Sequence, residues 1–270
     1  MLFQLKSYVK FLWNSKNEHG VHSPFVFSLL TKCFYDKKSK PEYAILRNYR
    51  KSLLQNNNTI EVTDFGAGSK VFKSNIRVIA KIAKTAGISP KRAELLFRIV
   101  NYFQPESILE IGTSLGLATA ALSLGNQNAT IITLEGCPET AKIAQLQFQK
   151  FNCNNVESIV TTFNSYLEKR NSSPNTTTEH FKLNTEHFSL IYFDGNHSKK
   201  ATLDYFEELL PTITNETVWI FDDIHWSSQM EEAWEIIKKH PKVTVTIDTF
   251  HWGLVFFRRE QPKEHFIIRI

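Results

Sequence analysis

The sequence predicts an α/β fold: a seven-stranded, mostly parallel sheet with helices on both faces, closed by an antiparallel terminal hairpin and preceded by a helical N-terminal extension. Three observations predict it. From Pro105 onward, short apolar runs alternate with segments of helical periodicity, the pattern of a parallel sheet covered on both faces. The last two runs, Lys242 to Thr249 and Leu254 to Arg259, are joined through Gly253 with no room for a crossover helix, so they must pair antiparallel. Before residue 60 no strand pattern occurs, and Leu2, Leu5, Val9 and Leu12 recur at helical spacing, as do Phe25, Leu29 and Leu30.

The elements follow in order. After the polar break Gln55 to Thr59, residues 60–65 read as a short strand entering the turn Gly66-Ala67-Gly68-Ser69. Residues 74–85 and 90–103 read as helices, the second with Ser89 as N-cap and Pro90 at the first helical position. Ser107 to Ile111 is an apolar strand ending in a glycine turn, and Thr119 to Leu124 is helical. Strands at 130–134 and 156–161 flank a helix at 138–151, and a shorter helix lies near Tyr166. Residues 171–187 are polar and turn-rich, a surface loop. Phe188 to Phe193 is a buried strand, Lys199 to Leu210 a helix, Thr217 to Phe221 a strand, and Ser227 to Lys239 a helix stopped by Pro241. The expected division is a helical cap over residues 1–85 and an α/β domain over 86–270.

Composition excludes several classes. The 270 residues are 42% hydrophobic and 22% charged, so the chain is neither disordered nor collagen-like nor a coiled coil. No apolar stretch approaches the roughly 18 residues of a membrane span. Lys6 and Lys10 interrupt the first apolar run, which therefore does not read as a secretory signal. Three cysteines, odd in number and without ligand spacing, suit a reducing compartment, so a cytoplasmic location is expected. Charge is unevenly placed. Residues 1–100 carry 18 Lys and Arg against 6 Asp and Glu, a net +12, while residues 101–270 carry 14 against 21, a net −7. Such a basic segment attracts an anionic partner (a phosphorylated substrate, RNA or an acidic membrane surface) or lies as a solvated face against the acidic part.

The chemistry centres on residues 107–116. A strand runs into Gly112-Thr113-Ser114-Leu115-Gly116 and opens a helix, and glycines there let the backbone turn sharply and approach a ligand closely. Nineteen residues past Gly116, at the end of the next strand, Glu135 is placed to accept hydrogen bonds from the two hydroxyls of a ribose. Together these features indicate an adenosine-containing cofactor. Two patterns compete with this one. The same turn spells G-x-S-x-G, a nucleophile elbow with Ser114, Asp223 and His251 in triad order, yet no oxyanion segment precedes it and Glu135, Asp194 and Asp222 would have no role. Asp64 to Ser69 imitates a dinucleotide motif, but Val71 stands where the third glycine belongs.

Residues 90–260 resemble the class I S-adenosylmethionine-dependent methyltransferases, whose sheet is Rossmann-like. Glu110 to Gly116 looks like their E-x-G-x-x-x-G motif, Glu135 matches the acid closing the second strand, Asp194 matches the acidic end of the fourth, and the hairpin matches their reversed seventh strand. Asp194-Gly195-Asn196-His197 and Asp222-Asp223 resemble the metal-assisted O-methyltransferases. The resemblance implies S-adenosyl-L-methionine as cofactor, with Glu110, Gly112, Thr113, Ser114, Gly116, Glu135, Asn164 and Asp194 binding it, although Phe163 stands where many relatives place glycine before Asn164. It implies Asp194 and His197 as catalytic groups.

Carboxylates at two neighbouring strand ends repel unless neutralised, so Asp194, Asp222 and Asp223 are expected to hold Mg²⁺ or another divalent cation. Such an ion would lower the pKa of a substrate hydroxyl. An unperturbed imidazole titrates near 6.5, which suits His197 as general base. The expected acceptor is a small molecule, and a homodimer is compatible with the sequence. The absence of an Asn-Pro-Pro-Tyr motif after Phe193 favours oxygen over nitrogen. A cofactor-binding module without turnover and an RNA-directed methyltransferase are the other readings. His225 and His251 read as structural or exposed. Most tryptophans read as core, and Trp226 is the one placed for a substrate wall.

Overall fold

The computed structural model describes residues 2–63, 65, 72–172 and 187–270. The chain opens with helices α1 (Leu2–Asn14), α2 (Pro24–Leu29) and α3 (Pro41–Leu54), followed by a small antiparallel pair, β1 (Thr59–Glu61) and β2 (Ile76–Val78). Helices α4 (Ile79–Thr85) and α5 (Pro90–Phe103) lead into the main sheet. There β3 (Ser107–Ile111), α6 (Leu117–Gly125), β4 (Thr130–Glu135), α7 (Pro138–Lys150) and β5 (Val156–Val160) follow in sequence. Next come α8 (Phe163–Ser172), β6 (Leu190–Phe193), α9 (Lys199–Leu209), β7 (Val218–Asp222) and α10 (Ser228–Lys239). The last elements are β8 (Val245–Asp248), β9 (Trp252–Phe256) and β10 (Glu264–Ile267).

The sheet order is β10-β8-β9-β7-β6-β3-β4-β5. Only β9 runs antiparallel to its neighbours, as the missing crossover required. The sheet has eight strands rather than the expected seven. β10 adds an outer strand parallel to β8, with Glu264 opposite Val245 and Ile267 opposite Asp248. It pairs on the strand side with β8 alone and keeps polar residues on its exposed side, so it lacks the continuous apolar run that marked the inner strands. The segment after α1 covers this edge: Lys16 N–H donates to Ile267 O at 2.8 Å and Arg269 N–H to Lys16 O at 3.1 Å, leaving less unpaired edge. A second difference lies at residues 76–78, which pair with β1 instead of starting the following helix.

Local signals account for the helices around the site. Ser89 Oγ accepts from Arg92 N–H at 3.3 Å with Pro90 at the first helical position, and Ser198 and Ser227 cap α9 and α10 the same way. Capping by a serine oxygen stabilises a helix by about 1 kcal/mol. The inner strands β3, β6 and β7 are buried along their whole length and separate two apolar layers. On one face Tyr192 and Ile220 pack with Tyr49 and Leu53 of α3, Leu96 of α5 and Ala121 of α6. On the other, Phe193, Trp219 and Phe221 pack with Phe206 of α9 and Trp234 of α10. One cluster therefore contains side chains from both the N-terminal helices and the sheet.

The order reverses about β3, which has β4 on one side and β6 on the other. Both are parallel to it, so Ile111, Glu135, Phe193 and Asp222 end strands at the same edge of the sheet. In an open α/β sheet this is where a crevice forms.

Candidate active site

A cleft of about 520 Å³ opens at these strand ends. Gly112, Ser114, Glu135, Asn164, Asp194, His197, Asp222 and Asp223 all line it. Glu110, Thr113 and Gly116 do not. Glu110 is fully buried beneath the turn, where its Oε2 accepts from Thr119 Oγ1 and Thr133 Oγ1, each at 2.5 Å. Thr113 is buried beside it, its hydroxyl 2.6 Å from that of Thr133. These two side chains shape the turn from below.

Backbone geometry explains the glycine of the turn. Gly112 has φ +104°, and a Cβ there would sit 2.4 Å from Asp194 O. The turn thus passes directly against the backbone leaving β6, where Asp194 N–H donates to Ile111 O at 2.9 Å. Ser114, Asn196 and Asp223 also have positive φ, of 49°, 47° and 53°. Non-glycine residues hold such angles at a cost of about 1–3 kcal/mol each, and they concentrate at functional sites. All three border this cleft.

Glu135 is fixed at the end of β4. Its Oε2 accepts from Ser114 N–H at 2.8 Å and its Oε1 from Cys137 N–H at 2.9 Å. Two backbone donors thus orient this carboxylate at the strand end. Thr140, on the first turn of α7, also lines the cleft, and its hydroxyl oxygen is buried with no partner among the described residues. These features fit a ribose-bearing ligand with its hydroxyls at Glu135.

At the other side of the cleft three carboxylates meet. Asp222 Oδ1 accepts from Arg92 Nη1 at 3.2 Å and from Asp223 N–H at 2.9 Å, and its Oδ2 accepts from Tyr192 OH at 3.1 Å. Asp194 is held well above the usual carboxylate range, by burial first and then by the charges of Asp222 and Asp223, and its side chain hydrogen-bonds Asp222. Burial and the charge of Asp222 push Asp223 up to about 6, with His197 and Arg92 pulling the other way. His197 Nε2 lies 3.5 Å from Asp194 Oδ1.

The three carboxylates expected to hold a cation, Asp194, Asp222 and Asp223, do meet here, and protein donors share the site with them. Both oxygens of Asp222 accept from protein donors, and Arg92 places one positive charge against the carboxylates. Among the described residues no group of three or more His, Cys, Asp or Glu is placed to hold a metal ion. No catalytic step is routed through a metal.

The loop after β7 is braced from behind. His225 Nδ1 lies 2.7 Å from Glu231 Oε1 and its Nε2 2.8 Å from Asp248 Oδ2, and its ring stacks on Phe250. Burial opposes charge on His225, but the two carboxylates outweigh it and its pKa is raised. Trp226, next in the chain, lines the cleft as the sequence suggested, while Trp219, Trp234 and Trp252 are buried in the core.

Several lining residues carried no signal in the sequence. Phe65, Phe72, Arg77 and Arg92 form a wall contributed by residues before β3. The Asp64 to Ser69 turn lies, except for Phe65, outside the described residues.

Glu110 gives a pH test of this geometry. Burial pushes its carboxyl up to about 8, against the two threonine hydroxyls that favour the charged form. The folded state therefore keeps a proton that the unfolded state, titrating near 4.3, has released. Stability should fall as pH rises from about 4.3 towards 8, by an amount on the order of several kcal/mol. Glu110→Gln removes this ionisation, so its melting temperature relative to the parent should rise between pH 6 and pH 9. A difference independent of pH in thermal melts would contradict it.

Residues 109–224 match the family model described as a methyltransferase domain. A search of curated proteins gives no match. Among solved structures, the chain is similar to an O-methyltransferase from Bacillus cereus in complex with SAH, at 18% identity and a TM-score of 0.54, covering 83% of this chain and 94% of that one. A methyltransferase from Podospora anserina, bound to SAH, gives 13% identity and a TM-score of 0.58 over 88% and 97% of the two chains. The O-methyltransferase TomG from Streptomyces achromogenes, involved in tomaymycin synthesis and complexed with SAM, gives 14%, 0.55, 90% and 99%. The chain therefore shares the fold of these methyltransferases, built here on the eight-stranded sheet described above.

Proposed function

We propose that this methyltransferase domain transfers the methyl group of S-adenosylmethionine to a hydroxyl oxygen of a small molecule, with His197 taking the hydroxyl proton. The observation that carries the reading is the cleft itself. It places a carboxylate fixed to the glycine turn, Glu135, and a histidine beside a buried acid, His197 and Asp194, around one volume of about 520 Å³.

When bound, the cofactor supplies an electrophilic methyl on a sulfonium. Glu135 would hold its ribose, Gly112 and Ser114 its methionine part, and Asn164 would lie beside its adenine. His197 would face the acceptor oxygen and accept its proton as the oxygen–carbon bond forms and the carbon–sulfur bond breaks. The charge that develops on the imidazole is answered by Asp223, whose carboxyl responds to His197. Trp226 would wall the acceptor and exclude water, while Phe65, against Gly136, would cover the cofactor beside Glu135. Alignment of the two reactants in one cleft lowers the barrier by an amount on the order of several kcal/mol. With Arg92 already neutralising Asp222, turnover should persist in chelator.

Glu135→Ala tests the cofactor assignment. It removes hydrogen bonds to a charged group, so affinity for S-adenosylmethionine should fall by about 1.5–3 kcal/mol. The folded variant should show this by calorimetry, and undiminished affinity would reject the role.

A further inference from the structure

We infer that α1 is an interfacial helix that seats this chain on an anionic membrane surface. Of the large apolar side chains that the described residues expose, an unusual share lies on this one helix: Leu2 is 76% exposed, Leu5 61%, Val9 57%, Leu12 37% and Trp13 89%. Successive residues turn by about 100°, so these five side chains fall within an arc of about 100°. Lys6 and Lys10, both exposed, occupy the next 60° or so of the helix surface. The opposite side holds α1 to the body. Ser7 and Phe11 are buried, Gln4 Nε2 donates to Trp226 O at 3.4 Å, and Tyr8 and Phe11 pack on Phe250. The apolar arc is therefore presented outward by a helix already docked through its other face.

Charge selects the occupant. No acidic residue occurs in α1, and its two lysines adjoin the apolar arc. A second copy laid on this face would bring lysines against lysines with no acid on either helix to answer them. Anionic lipid headgroups answer them directly, while the apolar side chains enter the acyl boundary and an exposed tryptophan sits at the headgroup level. The net +12 of residues 1–100 acts in the same sense. No helix among the described residues is long and apolar enough to cross a membrane, so this contact lies on the surface rather than through it.

The test is sedimentation of the full chain with vesicles of phosphatidylcholine alone or mixed equally with phosphatidylglycerol. The chain should bind the mixed vesicles, bind neutral ones far less, and be released by high salt. Each lysine near the surface is worth roughly fivefold in partitioning, so Lys6→Glu with Lys10→Glu should weaken binding at least about 30-fold. Leu5→Glu with Val9→Glu, both at exposed positions, should abolish it while leaving the circular dichroism spectrum and thermal melt of the parent. Trp13 fluorescence should be quenched by brominated lipid, a signal lost in Trp13→Phe. Failure to bind mixed vesicles, or binding unchanged in Leu5→Glu with Val9→Glu, overturns the inference. So does a dimer seen by light scattering that the same double substitution dissociates, since a second copy would then be the occupant.

Discussion

Gly112→Ala should lower stability by roughly 3–5 kcal/mol and abolish cofactor binding in whatever fraction still folds, the range in which a buried clash is added to an unfavourable backbone angle. Two independent costs meet at this position. At φ +104° an L side chain is strained wherever its atoms lie. The added Cβ also meets Asp194 O at 2.4 Å and Asp194 C at 2.7 Å, both backbone atoms at the end of β6 that cannot rotate away. Relief requires β3 and β6 to separate, which breaks the Asp194 N–H to Ile111 O bond and moves the floor of the cleft. Gly116→Ala should cost less. Its φ is +76°, but the atoms its Cβ meets are the ends of side chains, Tyr49 OH and the ring of Phe148. Urea midpoints of the two variants check this, and an ordinary midpoint for Gly112→Ala would show that the turn does not need the close approach.

The glycine turn and Glu135 were legible because both depend on local chemistry: a backbone that must turn sharply, and an acid at a strand end a fixed distance onward. The inner strands were legible for a related reason, since burial on both faces leaves runs with no polar interruption. What escaped reading depends on partners distant in sequence. Nothing about Arg92 in the first turn of α5 indicates that its guanidinium meets Asp222, 130 residues later. From the sequence the strand-end carboxylates show no cationic partner; the structure sets Arg92 against one of them. Likewise Tyr49 belongs by periodicity to an ordinary buried helix face, yet its hydroxyl donates to Leu115 O at 3.0 Å and supports the turn. β10 escaped because an edge strand flanked by polar residues has no distinctive pattern, and β2 because Ile76 to Val78 runs without a break into the spacing of α4. The helix α1 was recognised from Leu2, Leu5, Val9 and Leu12, but that spacing marks an apolar stripe without saying which face is buried. The structure buries Ser7 and Phe11 instead.

His197→Ala should lower the rate of methyl transfer by about 10²–10⁴, the usual contribution of a positioned general base, with little change in affinity for S-adenosylmethionine. The split between rate and affinity separates a catalytic role from a structural one, because a collapsed loop would also disturb Asp194 and the turn it touches. Asn196, at φ +47°, and the Ser198 cap of α9 position the loop without help from the imidazole, so the alanine variant should fold. The pH dependence carries a second signature. Asp223 titrates at about 6 in the folded protein, raised chiefly by burial and by Asp222. Below that value it is protonated and no longer answers the charge that forms on His197, so the rate should fall as pH drops through about 6. Asp223→Asn should leave a lower rate above about pH 6, while the parent keeps full activity in chelator. A rate for His197→Ala within a factor of about two of the parent would eliminate the base and leave alignment in the cleft as the main source of catalysis.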